Sequence, residues 1–173
     1  MITCFKDDFL KTTFSKFDNA ITFLNTSTQG GMFKPRLTDK ELHKKSGFQR
    51  KVNGQFEDAG FKSEVLGING SKPSNIRGDR VDLLIFDEAG SWPNLTTAII
   101  QGQELCEVQG VPRGIMLYGG TGGDMGAPLE GLKKIYYNPK AFKVLPYRHN
   151  YTQTGEYELT GFFIPYFVQA LDP

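Results

Sequence analysis

A chain of 173 residues with 39% hydrophobic and 13% aromatic side chains can bury a core of ordinary size, so one domain over residues 1–173 is expected. Its net charge of +1 excludes the broad cationic field that draws small proteins onto DNA and leaves any nucleic-acid contact local. Two distant cysteines, Cys4 and Cys106, argue against both a disulfide framework and a zinc site, and a reducing interior fits them best. The opening MITCFKDDFLKTTF carries Lys6, Asp7 and Asp8 where a signal peptide needs its apolar core. No apolar run reaches the roughly 20 residues of a membrane span, so a soluble, cytoplasmic chain is expected.

Taken in order, KDDFLKTTFSKF (Lys6 to Phe17) mixes lysine with phenylalanine in the manner of a weak DNA-contacting stretch. Asp7 and Asp8 within it favour an amphipathic helix packed on a sheet. AITFLNT (Ala20 to Thr26) and KSEVLGI (Lys62 to Ile68) have strand composition. The polar segment between them, Asp39 to Gly60, reads as one or two helices. VDLLIF (Val81 to Phe86) is a continuous apolar run, as in a strand covered on both faces. A helix should follow: Asn94 suits its N-cap, and Leu95, Ala98, Ile99, Gly102, Leu105 and Cys106 recur at helical spacing until Gly110 and Pro112. GIMLYGG (Gly114 to Gly120) is a second apolar strand, which completes a strand–helix–strand crossover with functional loops at the carboxyl ends of its strands. LEGLKKIYYN (Leu129 to Asn138) then reads as a helix, and AFKVLPY (Ala141 to Tyr147) and TGFFIPYF (Thr160 to Phe167) as strands. The expected class is α/β, a mostly parallel central sheet with flanking helices.

The chemistry gathers at those strand ends. Asp87 and Glu88 close the first apolar strand, where one carboxylate could hold a magnesium ion through water and the other could polarise a water attacking a γ-phosphate. The plain alternative is an exposed acidic pair. Thr121 stands among glycines, including Gly120 and Gly122, at the end of the next strand, where it could sense a γ-phosphate or form part of a simple turn. Arg77 and Arg80, just before the acidic strand, could neutralise a transferring phosphoryl group or pair on the surface with Asp79 or Asp82. A phosphate-cradling loop of the form GxxxxGKS or GxxxxGKT does not occur; GINGSKPS has the wrong spacing and a proline after Lys72, so it reads as a turn. His43 and His149 have no partner at triad spacing and read as surface or satisfied polar residues, and Trp92 as half-buried packing at a helix start.

The ordered set SNIRGDRVDLLIFDEAG, GIMLYGGTGGDM, LEGLKKIYYNP and GFFIPYF resembles the ATPase domain of the large terminase subunit of tailed bacteriophages, over roughly Ile21 to Phe167. The resemblance implies a partial ATPase core of P-loop NTPase type, residues 20–173 with an unaligned segment 1–19, in a motor that couples ATP hydrolysis to DNA packaging in the host cytoplasm. By position, Asp87 would match the family's magnesium-associated acid, Glu88 its catalytic glutamate, Thr121 its coupling motif and Arg77 an arginine acting across a subunit interface. Gly120 and Gly122 would line the nucleotide. Implied cofactors are ATP and Mg2+; implied partners are double-stranded DNA, the portal, the small terminase subunit and further copies in a ring, with no membrane. The family's phosphate-binding loop and nuclease domain have no counterpart here, so weak or absent turnover by this chain alone is expected. Two alternatives stand beside this reading. A helicase-like ATPase shares the acidic pair, but GGTGGD departs from its serine–alanine–threonine motif. A non-catalytic protein could keep the fold and bind the terminase or portal.

Overall fold

The structure, a computed structural model, describes residues 1–27, 37–78, 80–121 and 126–145. Its elements run β1 (Ile2–Cys4), α1 (Asp7–Ser27), β2 (Thr38–Lys40), β3 (His43–Lys45), β4 (Phe48–Val52), β5 (Gln55–Ala59), β6 (Glu64–Asn69), β7 (Leu83–Phe86), α2 (Leu95–Leu105), β8 (Glu107–Val108), β9 (Val111–Pro112), β10 (Ile115–Tyr118) and α3 (Ala127–Tyr136), with single 3-10 turns at Pro73–Asn75 and Ala89–Ser91. This is a mixed α/β fold with flanking helices. The central sheet has the order β10-β7-β1-β6-β3-β2. Its first four strands are mutually parallel, and β3 and β2 join antiparallel.

The β7–α2–β10 crossover forms as its pattern predicts, with Asn94 at the N-cap position. The helix stops at Leu105, earlier than Gly110, because the β8–β9 hairpin takes up the chain before β10. Three expectations need correction. Ala20 to Thr26 lies inside α1 and forms no strand: Leu10, Phe14, Phe17 and Ile21 continue one helical stripe through it, with no glycine or proline to break the turn. Asp39 to Gly60 holds strands rather than helices. Asn53 and Gly54 both take positive φ, 49° and 86°, which makes the tight turn that folds β4 onto β5. Ala141 to Leu145 contains turns and no strand, while Pro146, Tyr147, His149 and Thr160 to Phe167 lie outside the described residues. The expected helix at Leu129 to Asn138 is α3, and the strand at Lys62 to Ile68 is β6.

Two apolar clusters hold the sheet. Leu84 and Phe86 of β7 meet Ala98, Ile99 and Leu105 of α2, together with Trp92, Leu95 and Ile135, all buried. Cys4, Leu10 and Phe14 fasten α1 to β1 and β6. Residues 1–19 therefore supply an inner strand of the sheet and most of its α1 packing. Gly102 permits close helix–sheet contact, since a Cβ there would sit 2.8 Å from a methyl of Leu84. The edge strand β10 has no neighbour beyond it among the described residues, and Leu83, Ile115 and Leu117 are exposed on one face of the β7–β10 pair. The opposite edge, β2, carries Asp39 and Lys40. Among the described residues no helix is long and apolar enough to cross a membrane.

Candidate functional site

Parallel strands deliver their following residues to one edge of the sheet, and here β1, β6, β7 and β10 bring Cys4, Asn69, Asp87 and Thr121 to the same carboxyl edge. The apolar run of β7 ends at Phe86 because the next side chains leave the core: Asp87 and Glu88 are half-buried where Phe86 is fully buried. Glu88 then adopts a left-handed conformation, φ 51° and ψ 44°, which costs a non-glycine residue about 1 kcal/mol or more. That turn starts the 3-10 segment leading to α2.

The conformation is over-determined by its neighbours. The Ala89 N–H donates to Gly119 O at 2.9 Å, and the Gly119 N–H donates to Phe86 O at 3.0 Å, so the loop after β7 and the loop after β10 are stitched together. Gly120, at φ 155°, lies so close to Glu88 that a Cβ would come within 2.8 Å of its Cα. No other residue fits there. This approach carries Thr121 onto the acid, and its Oγ1 donates to Glu88 Oε2 at 3.2 Å. Two residues singled out on separate strands thus share one hydrogen bond. Gly122 lies outside the described residues.

Asp87 is held by donors that sequence reasoning did not assign to the site. Thr13 of α1 donates through Oγ1 to Oδ2, and the Cys4 thiol lies 3.6 Å from the same oxygen. The Glu88 N–H donates to Oδ1 at 3.1 Å, while the Trp92 indole N–H donates to the Asp87 carbonyl at 3.0 Å. Asn69, at the end of β6, donates to Asp7 at the start of α1, which ties the helix to the same edge. Ile2 to Cys4 is too short a run to declare itself a strand, so the signal for these partners was weak. Trp92 is fully buried, not half-buried, and sits edge-on to Phe86 at 5.4 Å.

Burial first, and the Asp87 carboxylate second, push the Cys4 thiol up to about 12. The folded chain therefore keeps this proton where the unfolded chain, with an ordinary thiol near ~8.5, releases it. Stability from this group is complete below that ordinary value and falls as pH climbs from there towards the raised one. We expect Cys4 to resist a thiol reagent at pH 9 in the native protein, and the pH-dependent fall in urea midpoint to shrink in Cys4→Ser. Rapid native-state labelling at pH 9 would contradict the assignment.

Arg77 does not join the cluster. It lines a groove with Arg80, Gln101, Glu104 and Leu105, the last three from the final turns of α2. The Val81 N–H donates to Leu105 O at 3.1 Å, which places those turns at the amino end of β7, about 13 Å of strand away from Asp87. Neither Arg77 nor Arg80 forms an ion pair or hydrogen bond among the described residues, so the expected pairing with Asp82 is not made; Asp79 lies outside them. His43 is satisfied on the surface by Glu64, as expected.

Among the described residues no group of three or more acids, histidines or cysteines is arranged to hold a metal. With both Asp87 oxygens already accepting bonds from the chain, a direct multi-ligand cage does not fit, whereas a hydrated magnesium held by one carboxylate does. No known protein family, curated protein or solved structure matches this chain.

Proposed function

We propose that this chain is part of the ATPase domain of a DNA-packaging motor of the large-terminase type, a P-loop NTPase-like core working on double-stranded DNA in the host cytoplasm with a portal, a small terminase subunit and further copies in a ring. The observation that carries the reading is the Thr121 to Glu88 hydrogen bond at the carboxyl ends of neighbouring parallel strands. In this reading Glu88 polarises the attacking water, Thr121 senses the phosphate and reports its loss to the glycine loop, and Asp87 positions hydrated Mg2+. Bound with ATP, magnesium supplies charge neutralisation to the phosphates. Thr13 and Cys4 orient the Asp87 carboxylate, and Gly120 lets the Thr121 loop lie against Glu88. Arg77 is away from this crevice, so it would meet a phosphate only across a contact between subunits.

Calorimetric titration with Mg–ATP tests the proposal on this chain and on a polypeptide joining it to an upstream phosphate-binding loop. Binding and turnover by the joined protein, with weak or no turnover by the chain alone, is the expected result. Robust Mg–ATP hydrolysis by the chain alone would overturn the assignment, because a site without loop donors would then suffice.

A second reading has one observation in its favour. Three donors of the chain itself, Thr13, Cys4 and the Glu88 N–H, already meet Asp87, as in a crevice kept for stability, which suits a non-catalytic protein that binds the terminase or portal. Failure of the joined protein to bind Mg–ATP would select it.

A further inference from the structure

The positive charge of this chain is local. Between Thr28 and Ser63 stand eight lysines and arginines against four acids, whereas the rest of the chain has twelve against fifteen. Two of the eight, Lys34 and Arg36, lie outside the described residues. Three of the four acids are engaged by cations: Asp39 by Lys44, Glu41 by Lys11 and Glu57 by Arg50. Asp58, which accepts from Gln49, has no cationic partner among the described residues. Glu64, next along the chain at the start of β6, is met by His43. Lys40, Lys45, Lys51 and Lys62 form no ion pair among the described residues, and all but Lys45 are exposed.

The same stretch presents aromatic rings to solvent. β4 and β5 form a two-stranded ribbon apart from the central sheet, and none of its residues enters either apolar cluster. Phe56 on β5 is 71% exposed, and Phe61, two residues past the end of β5, is 89% exposed. Lys51 stands directly opposite Phe56 in the ribbon's register, on the same face, and Lys62 follows Phe61. Each ring thus has a lysine as its neighbour. An acidic peptide or an anionic lipid surface would satisfy the lysines and leave the rings without a flat partner. A duplex hides the faces of its bases in its own stack. A single strand offers a phosphate and an accessible base face at every nucleotide, which is the chemistry that lysine beside phenylalanine matches.

We propose that the β4–β5 ribbon binds single-stranded nucleic acid, with bases stacked on Phe56 and Phe61 and phosphates met by Lys51 and Lys62. Glu57 falls on the other face of the ribbon, where Arg50 offsets it. Asp58 shares the face of Phe56 and opposes the phosphates, so it limits the affinity. The surface is separate from the Glu88 crevice, and the proposal stands if nucleotide binding there fails.

The test is a fluorescence-anisotropy titration of the whole chain with a labelled oligothymidylate of about twelve nucleotides. The comparisons are the same probe annealed to its complement, a glutamate peptide of equal charge and phosphatidylserine vesicles. Saturable binding of the single strand is expected, weakened about tenfold by Phe56→Ala, Phe56→Leu or Phe61→Ala and largely kept by Phe56→Trp. Leucine retains apolar surface and loses the stack, so it separates stacking from simple apolar contact. Lys51→Gln should flatten the slope of log affinity against log salt by about 0.7, and Asp58→Asn should tighten binding. Both rings are exposed, so an unchanged urea midpoint separates lost binding from lost fold. No saturable binding of the single strand, parent affinity in Phe56→Leu and Phe61→Ala, or an unchanged salt slope in Lys51→Gln would each overturn the proposal. So would an equal loss of duplex binding in Phe56→Ala, or displacement of the single strand by the peptide or the vesicles at lower charge concentration.

Discussion

Glu88→Gln, in the protein joined to a phosphate-binding loop, is expected to lower ATP turnover by about 100- to 10,000-fold while leaving Mg–ATP binding in place. The substitution is chosen for what it conserves. Glutamine has the shape of glutamate and keeps an oxygen to accept the Thr121 hydroxyl, so the 3.2 Å bond between the two loops survives. It tolerates the left-handed backbone at position 88 no worse than the native residue, and it leaves the Ala89–Gly119 and Gly119–Phe86 backbone bonds untouched. Only the negative charge that draws a proton from water is removed. Steady-state phosphate release with parallel calorimetry reads both quantities; turnover within a factor of about three of the parent would remove Glu88 from the chemistry.

Trp92→Ala is expected to cost about 3–5 kcal/mol of stability, a large share of the roughly 5–15 kcal/mol that holds a domain folded. Four contacts disappear together. The indole ring, 1% exposed, packs edge-on against Phe86 and tilted against Phe5, and it fills space so closely that Gly70 opposite it has no room for a side chain. Its N–H also caps the Asp87 carbonyl, which would otherwise stand unpaired at the turn into the acidic loop. Trp92→Phe keeps the aromatic contact and loses the donor, so it should retain part of the difference. Urea denaturation with a common m-value separates the two variants; a loss below about 1 kcal/mol for the alanine variant would show that the ring is dispensable to the core.

What the residues disclosed beforehand was what depends on local pattern. An unbroken apolar run marks a parallel strand, and β7 and β10 are such runs, but the expected cover on both faces is not met among the described residues, where Leu83, Ile115 and Leu117 stay exposed; α2 and α3 have helical spacing long enough to survive their irregular ends. Asp87, Glu88 and Thr121 could be picked out because acids and glycines directly follow those runs. The misreadings have equally physical causes. Ala20 to Thr26 contains β-branched and aromatic residues in strand proportion, but the helix begun at Asp7 continues through it because an extra turn of an existing helix needs no new nucleus. Between Asp39 and Gly60 the strands are short and mostly exposed, so no apolar alternation marked them, although Asn53-Gly54 was a hairpin signal in plain view. Thr13 and Cys4 could not be assigned to Asp87 at all. That contact exists only because β1 slots between β6 and β7, a long-range pairing without a local signature.

Among the described residues the sheet's two margins differ in charge. The β2 margin is guarded by Asp39 and Lys40, whereas β10, which has no neighbour beyond it among the described residues, carries Ile115 and Leu117 and no charged side chain among its four residues. Charges on an outer strand discourage a foreign strand from adding there, and apolar outer strands invite it. With β10 open as it is among the described residues, edge-to-edge growth would be one-sided. A copy that added through its own β10 would turn its guarded margin outward on both ends, so the addition stops at a pair instead of running on into a fibre.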